Sequence, residues 1–267
     1  MATADGPVWA VVLAGGRGTR FGRLKQFEPL GGVRLIDRTV AAARRTCDRV
    51  ALVLPAGIEW DGPPVDALAV GGDHQSESMR AALAVVPDDA GVIVATDPAH
   101  PLAPDRVYTD VVTAVRGGAD GAVPVLPLLE VVQRVVDGRV VETLPKDDAV
   151  ITQAPHAFRA DVLRAVHADH PRPVENSGLL VERGHHVVAV PGDPANLHVA
   201  TAADLTVMEH LAAATEVAGD GPSPVDTRSA RNPTCVTTLD NSHATAESVA
   251  SAAAGRASTL PAPRRTP

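Results

Sequence analysis

A chain of 267 residues, 45% hydrophobic and 21% charged, can bury a substantial core, and its 22 Gly and 23 Pro exclude collagen and wholesale disorder. A net charge of −8 and an aromatic inventory of three Phe, two Trp and one Tyr argue against general affinity for nucleic acid or an anionic membrane. Two cysteines cannot build a disulfide framework, no apolar run approaches the ~20 residues of a membrane span, and no basic stretch precedes the first apolar segment, so the sequence predicts a cytoplasmic protein without a signal peptide.

The elements alternate. Val8–Ala14 is a buried-strand run that empties into a glycine-rich turn. A helix is expected over Leu35–Thr46, strands at Arg49–Leu54 and Ala67–Val70, a helix at Glu77–Val86 and a strand at Gly91–Ala95 ending on Thr96-Asp97. A helix over Asp105–Val115 opens after Pro104 and stops at Gly117-Gly118, and Ala122–Val125 is again a strand. Val131–Val136 and Arg139–Leu144 flank Asp137-Gly138, a strong hairpin signal, and interrupt the alternation as an inserted arm over residues 130–146. Helical spacing returns at Arg159–Val166 and Ala202–Ala214, with a strand at Val187–Val190. The order predicts an α/β fold, a mostly parallel, Rossmann-like sheet with flanking helices, whose ligands gather at the carboxyl ends of the strands. Residues 1–217 form the expected domain. From residue 218 onward the chain has no aromatic and no isoleucine and is rich in Ser, Thr, Ala and Pro, so residues 218–267 read as a disordered tail.

Leu13 to Gln26 carries the first chemistry. Gly15, Gly16 and Gly18 can turn backbone N–H groups around an anion, with Ala14 closing the strand before them. Arg17, Arg20, Arg23 and Lys25 place four cations in nine residues with no acid among them, a local reversal of sign suited to a triphosphate. The spacing is neither G-x-x-x-x-G-K-[ST] nor G-x-G-x-x-G, since Phe21 fills the slot of the third glycine; a Walker loop is excluded and a dinucleotide site is weak. Lysine is rare here, with two against 22 arginines, and the two are Lys25 and Lys146. Asp97, at a strand's carboxyl end and facing this loop, is placed to hold Mg2+, which takes one or two carboxylates with phosphate oxygens and water. His185-His186 lacks partners at zinc spacing, Cys47 reads as a small core residue, and Ser76 and Ser78 lie outside any nucleophile elbow.

The run L-A-G-G-x-G-T-R followed by lysine resembles the signature loop of nucleotidyltransferases with the GT-A-like fold. Lys25-Gln26-Phe27, Val70-Gly-Gly-Asp73 with Ser78, Thr96-Asp97-Pro-Ala-His100-Pro101, Thr152-Gln-Ala-Pro155 with Phe158, and Asn196-Leu-His198 resemble, in order, the motifs of the 2-C-methyl-D-erythritol 4-phosphate and ribitol-5-phosphate cytidylyltransferase family. The resemblance implies CTP as donor, Mg2+ as cofactor, and a homodimer joined through the arm. It implies Ala14, Gly15, Gly16, Gly18, Gly72, Asp73, Ser78 and Asp97 as nucleotide-binding residues, and Arg20, Lys25 and Lys146 as the catalytic cations. His100, Glu175 and His198 would face the acceptor. The acceptor half departs from the family: His100 stands for arginine, Lys146 for the arm arginine, His198 for lysine, Gln75 for another arginine, Glu130-Val131 for Asp-Thr, and Val174-Glu175-Asn176-Ser177 for Thr-Asp-Glu-Ala. The expected reaction is CMP transfer to a small polyol phosphate such as methylerythritol phosphate. Another polyol phosphate or a phosphonate, transfer from a different nucleotide, and a non-catalytic nucleotide-binding protein stay open as alternatives.

Overall fold

The computed structural model describes residues 4–16, 21–169 and 175–218. The chain divides into Met1–Gly221 and Pro222–Pro267, and the second unit, with the expected tail, lies outside the described residues.

Three apolar runs make the centre of the sheet: β1 (Val8–Leu13), β4 (Arg49–Leu54) and β6 (Val92–Thr96). Strands buried on both faces read as continuous Val/Leu/Ile stretches, which is why they are legible. β1 pairs in parallel with both β4 and β6, and β4 in parallel with β5 (Ala67–Val70). β7 (Gly121–Pro127) does not lie beside β6. β11 (His156–Arg159) inserts between them, antiparallel to both. β10 (Val150–Thr152) pairs antiparallel with β7, and β12 (Val187–Pro191) pairs with it in parallel. The sheet is therefore mixed at one end and parallel through its centre.

Alternation sorts the side chains onto two faces. Val8, Ala10 and Val12 face α1 (Leu35–Thr46) and α3 (Asp105–Arg116), which contribute Ile36, Val40, Tyr108 and Val111. Trp9 and Val11 face α2 (Gln75–Val85), α4 (Ala160–His167) and α5 (Asn176–Glu182), which contribute Met79, Leu163 and Leu180. A third cluster packs Met208 and Ala212 of α6 (Ala202–Ala218) with Val199 against Leu30 and Leu35, closing over the ribbon of β2 (Pro29–Leu30) and β3 (Val33–Arg34).

The inserted hairpin is β8 (Gln133–Val136) and β9 (Arg139–Thr143), turning on Asp137 (φ 48°) and Gly138 (φ 75°) as the Asp-Gly pair predicts. It leaves the sheet after β7 and returns through β10 onto the same strand. Helix α2 begins at Gln75, two residues earlier than the apolar spacing indicates. The Glu77 carboxylate accepts the N–H groups of Asp73 (2.8 Å) and His74 (3.2 Å), and these bonds carry the turn back into the preceding loop.

Candidate active site

Two cavities open at the carboxyl ends of β1, β6 and β5 and share Leu13, Gln75 and Asp97. The first, about 380 Å3, is walled by Gly15 and Gly16 on one side and Gly72, Asp73 and Ser78 on the other. The loops after β1 and β5 touch: a Cβ on Gly15 would lie 3.3 Å from Gly71 Cα, and one on Gly72 would lie 2.4 Å from Glu77 Cβ. Only glycine at position 72 leaves Glu77 on its two backbone donors. The Gly72 N–H donates to Ser78 Oγ (3.2 Å), so Ser78 of α2, expected as a nucleotide-binding residue, also fixes the loop after β5.

The glycine loop is held from beneath. The Ala14 N–H donates to the Val53 carbonyl (2.9 Å), and Gln26, buried, donates through Nε2 to the carbonyls of Ala14 (2.8 Å) and Gly16 (3.0 Å). Gln26 stands in the quoted Lys-Gln-Phe run, yet nothing in its spacing marks it as the staple of this loop. Lys25, in the short 3-10 turn Lys25–Phe27, donates through Nζ to the Val199 carbonyl at 2.5 Å. Arg20 and Gly18 lie outside the described residues, as do Arg17 and Val174.

The second cavity, about 190 Å3, brings together Asp97, His100, His156, Glu175, Asn176 and His198. The Ala99 N–H donates to Asp97 Oδ1 (2.7 Å), and His100 Nδ1 lies 3.5 Å from the same oxygen. Burial alone would raise the Asp97 carboxyl; the hydrogen bond and charge of His100, the Ala99 N–H and the charge of His198 bring it down to about 2. The rings of His100 and His198 stand 5.1 Å apart. His198 is pushed below the usual imidazole range by burial, then by the charges of His100 and Lys25, against the pull of Asp97 and Asp204. Glu175 caps α5, accepting from the N–H groups of Ser177 (2.9 Å) and Gly178 (3.2 Å) and from the Ser177 hydroxyl. Its Oε1 lies 2.9 Å from His156 Nδ1. Burial would raise this carboxyl too, but His156 and the Ser177 donors hold it at about 2.

Backbone clamps position both histidine walls. Gln153 Nε2 donates to the carbonyls of Asp193 (2.8 Å) and Asn196 (2.7 Å), while Asn196 Nδ2 donates to the Ala154 carbonyl (2.7 Å). The segment carrying His156 is thereby tied to the segment carrying His198.

Of the sequence-derived set, Gly15, Gly16, Gly72, Asp73, Ser78 and Asp97 line the first cavity, Asp97, His100, Glu175 and His198 line the second, and Ala14 and Lys25 line neither. Lys146 is not brought to either by its own chain. It stands half-buried at the foot of the arm, donating through Nζ to the Leu129 carbonyl (2.6 Å). His156, Gln153 and Asn196 received no site role from sequence. Among the described residues no group of three metal-ligating side chains forms, and Cys47, unpaired and packed against the core, has its thiol pushed up to about 12 by burial.

A sequence model of the family IspD, 2-C-methyl-D-erythritol 4-phosphate cytidylyltransferase, matches residues 8–213. The chain belongs to this family. It is 37% identical over 232 residues to the 2-C-methyl-D-erythritol 4-phosphate cytidylyltransferase of Frankia casuarinae, covering 81% of this chain and 85% of that relative. It is 36% identical to the bifunctional enzyme IspD/IspF of Granulibacter bethesdensis over 75% of this chain, and spans 55% of that longer protein. The crystal structure of 2-C-methyl-D-erythritol 4-phosphate cytidylyltransferase from Thermus thermophilus superposes with a TM-score of 0.67 at 26% identity, covering 78% of this chain and 99% of that one. The match therefore spans both cavities and the arm, and stops where the compositionally distinct tail begins. No helix among the described residues is long and apolar enough to cross a membrane.

Proposed function

We propose that the chain transfers the cytidylyl group of CTP to the phosphate of a small polyol phosphate, such as 2-C-methyl-D-erythritol 4-phosphate, releasing pyrophosphate and a CDP-alcohol. An acceptor phosphate oxygen bonds to the α-phosphorus as the bond to the β-phosphate oxygen breaks. The observation that carries this reading is the meeting of two cavities on Asp97, one glycine-walled and one lined by imidazoles and carboxylates. Such a site works by holding two substrates in line and balancing charge, without a covalent intermediate. Gly15 and Gly16, with Gly18, would cradle the triphosphate, and Lys25 with Arg20 would offset charge on phosphorus and on the departing pyrophosphate. His100, Glu175 and His198 would take the acceptor.

The residues fit Mg2+. Asp97 is ionised, its Oδ1 is engaged by Ala99 and its Oδ2 is left for a ligand among the described residues. A single carboxylate suits this ion, which completes its shell with phosphate oxygens and water. Bound there, Mg2+ would neutralise phosphate charge. The arm would join two subunits, its exposed Val135, Val140 and Val141 meeting a second copy and carrying Lys146 towards that copy's acceptor cavity. The cytoplasmic location belongs to the same proposal.

The test is pyrophosphate release from CTP, GTP, ATP and UTP in turn, over a panel of polyol phosphates and phosphonates. Turnover with CTP and methylerythritol phosphate is the expected result. The histidines at 100 and 198, where the family shows arginine and lysine, favour a second reading in which a different polyol phosphate or a phosphonate is preferred. Calorimetric binding of CTP with no turnover of any acceptor would leave a nucleotide-binding protein without catalysis.

A further inference from the structure

The geometry points to His156 as a specificity residue: its imidazole Nε2 hydrogen-bonds the hydroxyl of the acceptor farthest from the reacting phosphate, with Glu175 as the positioning residue behind it. This rests on the cytidylyl-transfer reading of the site. In the sheet register His156 stands beside Ala95, two residues before Asp97. Two strand residues are about 6.6 Å, roughly the length of a short polyol. With phosphate at Asp97, the far end of such an acceptor falls against His156.

The pair has the chemistry for that role. Glu175 is held ionised and is fixed on its other oxygen by the first turn of α5. Its Oε1 lies 2.9 Å from Nδ1 of His156, which leaves Nε2 as the ring nitrogen for a hydroxyl, a group that both donates and accepts. The His156 ring makes no other hydrogen bond among the described residues, and it lines the cavity. The ring stands T-shaped to Phe158, centroids 6.2 Å apart. No lysine or arginine lines this cavity among the described residues, so its far end offers an imidazole backed by a carboxylate and no permanent cation. It suits a hydroxyl and disfavours a carboxylate or second phosphate at that position. At about 190 Å3 it is smaller than the ~300 Å3 lower bound of drug-sized pockets, which matches an acceptor of a few carbons.

The test is a cycle between enzyme and substrate, with 2-C-methyl-D-erythritol 4-phosphate and its analogue bearing hydrogen in place of the terminal hydroxyl, on wild type, His156→Phe, His156→Gln and Glu175→Gln. The Phe variant keeps the ring's bulk, and circular dichroism checks its fold. Loss of one such hydrogen bond should raise KM for the hydroxyl acceptor about 5- to 10-fold, with kcat and KM for CTP little changed. His156→Gln, which retains an acceptor oxygen and a donor for Glu175, should recover most of that loss, and Glu175→Gln should show a smaller rise. The deoxy analogue should lose the same factor on wild type and nothing further on His156→Phe, because both changes delete one bond. Additive losses, or an equal rise in KM for CTP, would overturn the assignment. If wild type fails to turn over CTP with either acceptor, the transfer reading falls. Calorimetry of the same two acceptors in the presence of CTP then reads the inference by itself: equal affinities overturn it, and a preference for the hydroxyl form that vanishes in His156→Phe sustains it.

Discussion

The Nζ of Lys25 donates to the carbonyl of Val199 at 2.5 Å, joining residues 174 positions apart. The turn after the glycine loop is thereby tied to the segment that carries His198 and leads into α6. The ammonium lies close enough to His198 to help depress its protonation. Lys25→Ala should lower kcat about 100-fold or more, as expected when a cation balancing transition-state charge is removed. Loss of its partly buried hydrogen bond to Val199 costs the fold about 1 kcal/mol. Steady-state pyrophosphate release beside thermal melting reads both quantities. A variant that keeps most of its activity would remove Lys25 from the chemistry.

Gln26 holds the glycine loop through two carbonyls while itself buried. Gln26→Leu preserves volume but strips both acceptors of their donor, and the buried Ala14 carbonyl left unsatisfied costs about 1–3 kcal/mol. The expected outcome is a lower urea midpoint with an unchanged slope, together with weaker CTP binding by calorimetry. If the loop needs no such staple, neither quantity moves.

The contrast between Lys25 and Gln26 explains what was legible in the sequence. The central strands, α1, α3 and the Asp-Gly hairpin are written in local signals: continuous apolar runs, helical spacing and a turn dipeptide. β11 is four residues, His156–Arg159, with only two of them buried in its burial pattern. Nothing local says that it inserts antiparallel between β6 and β7, because that choice is made by neighbours distant in the chain. The Gly15-Gly16 wall of the first cavity was legible because glycine and charge at fixed spacing carry their own reason, while Gly72, Asp73 and Ser78 were reached through resemblance. His100, Glu175 and His198 of the second cavity, too, were reached only through resemblance. His156 meets Glu175 across 19 positions, and Gln153 meets Asn196 across 43, so no spacing rule connects them.

Glycine 72 makes a separate prediction, since any Cβ there would push into Glu77. Gly72→Ala should displace the Glu77 carboxylate from the N–H groups of Asp73 and His74 and distort the wall of the first cavity. KM for CTP should rise several-fold while KM for the acceptor stays put, because the second cavity shares only Leu13, Gln75 and Asp97 with the first. Initial rates with each substrate varied in turn check it. A parallel rise in both would mean that the two cavities are not independent walls.

The Glu175 carboxyl is held at about 2 against the ~4.3 of an unperturbed glutamate. A carboxyl with a depressed folded-state pKa stabilises the fold above its unfolded value and loses that contribution as pH falls from about 4 to about 2. Glu175→Gln should therefore be less stable than wild type near neutrality, and the difference should shrink across that acid window. The side chain is partly exposed, so solvent screening keeps the effect modest. Melting temperatures of both proteins between pH 7 and pH 2 give the comparison. A constant offset over the whole range would place the loss in the helix cap and not in the charge.

The arm makes the last prediction. A two-stranded hairpin is marginal in water by itself, yet Val135 and Val140 pair across β8 and β9 at 56% and 58% exposure. Lys146 meanwhile is engaged by the Leu129 carbonyl and reaches neither cavity of its own chain. Both facts are accounted for if a second copy covers the valines and receives the lysine. Replacing Val135 and Val140 together by Glu should then convert dimer to monomer in analytical ultracentrifugation, since burying two carboxylates in an apolar contact is costly. CTP binding should persist, because the first cavity is built from one chain. The catalytic efficiency with the acceptor should fall by a factor close to that of Lys146→Ala in the intact dimer. A doubly substituted protein that stays dimeric, or a monomer with full acceptor efficiency, would separate the arm from the active site.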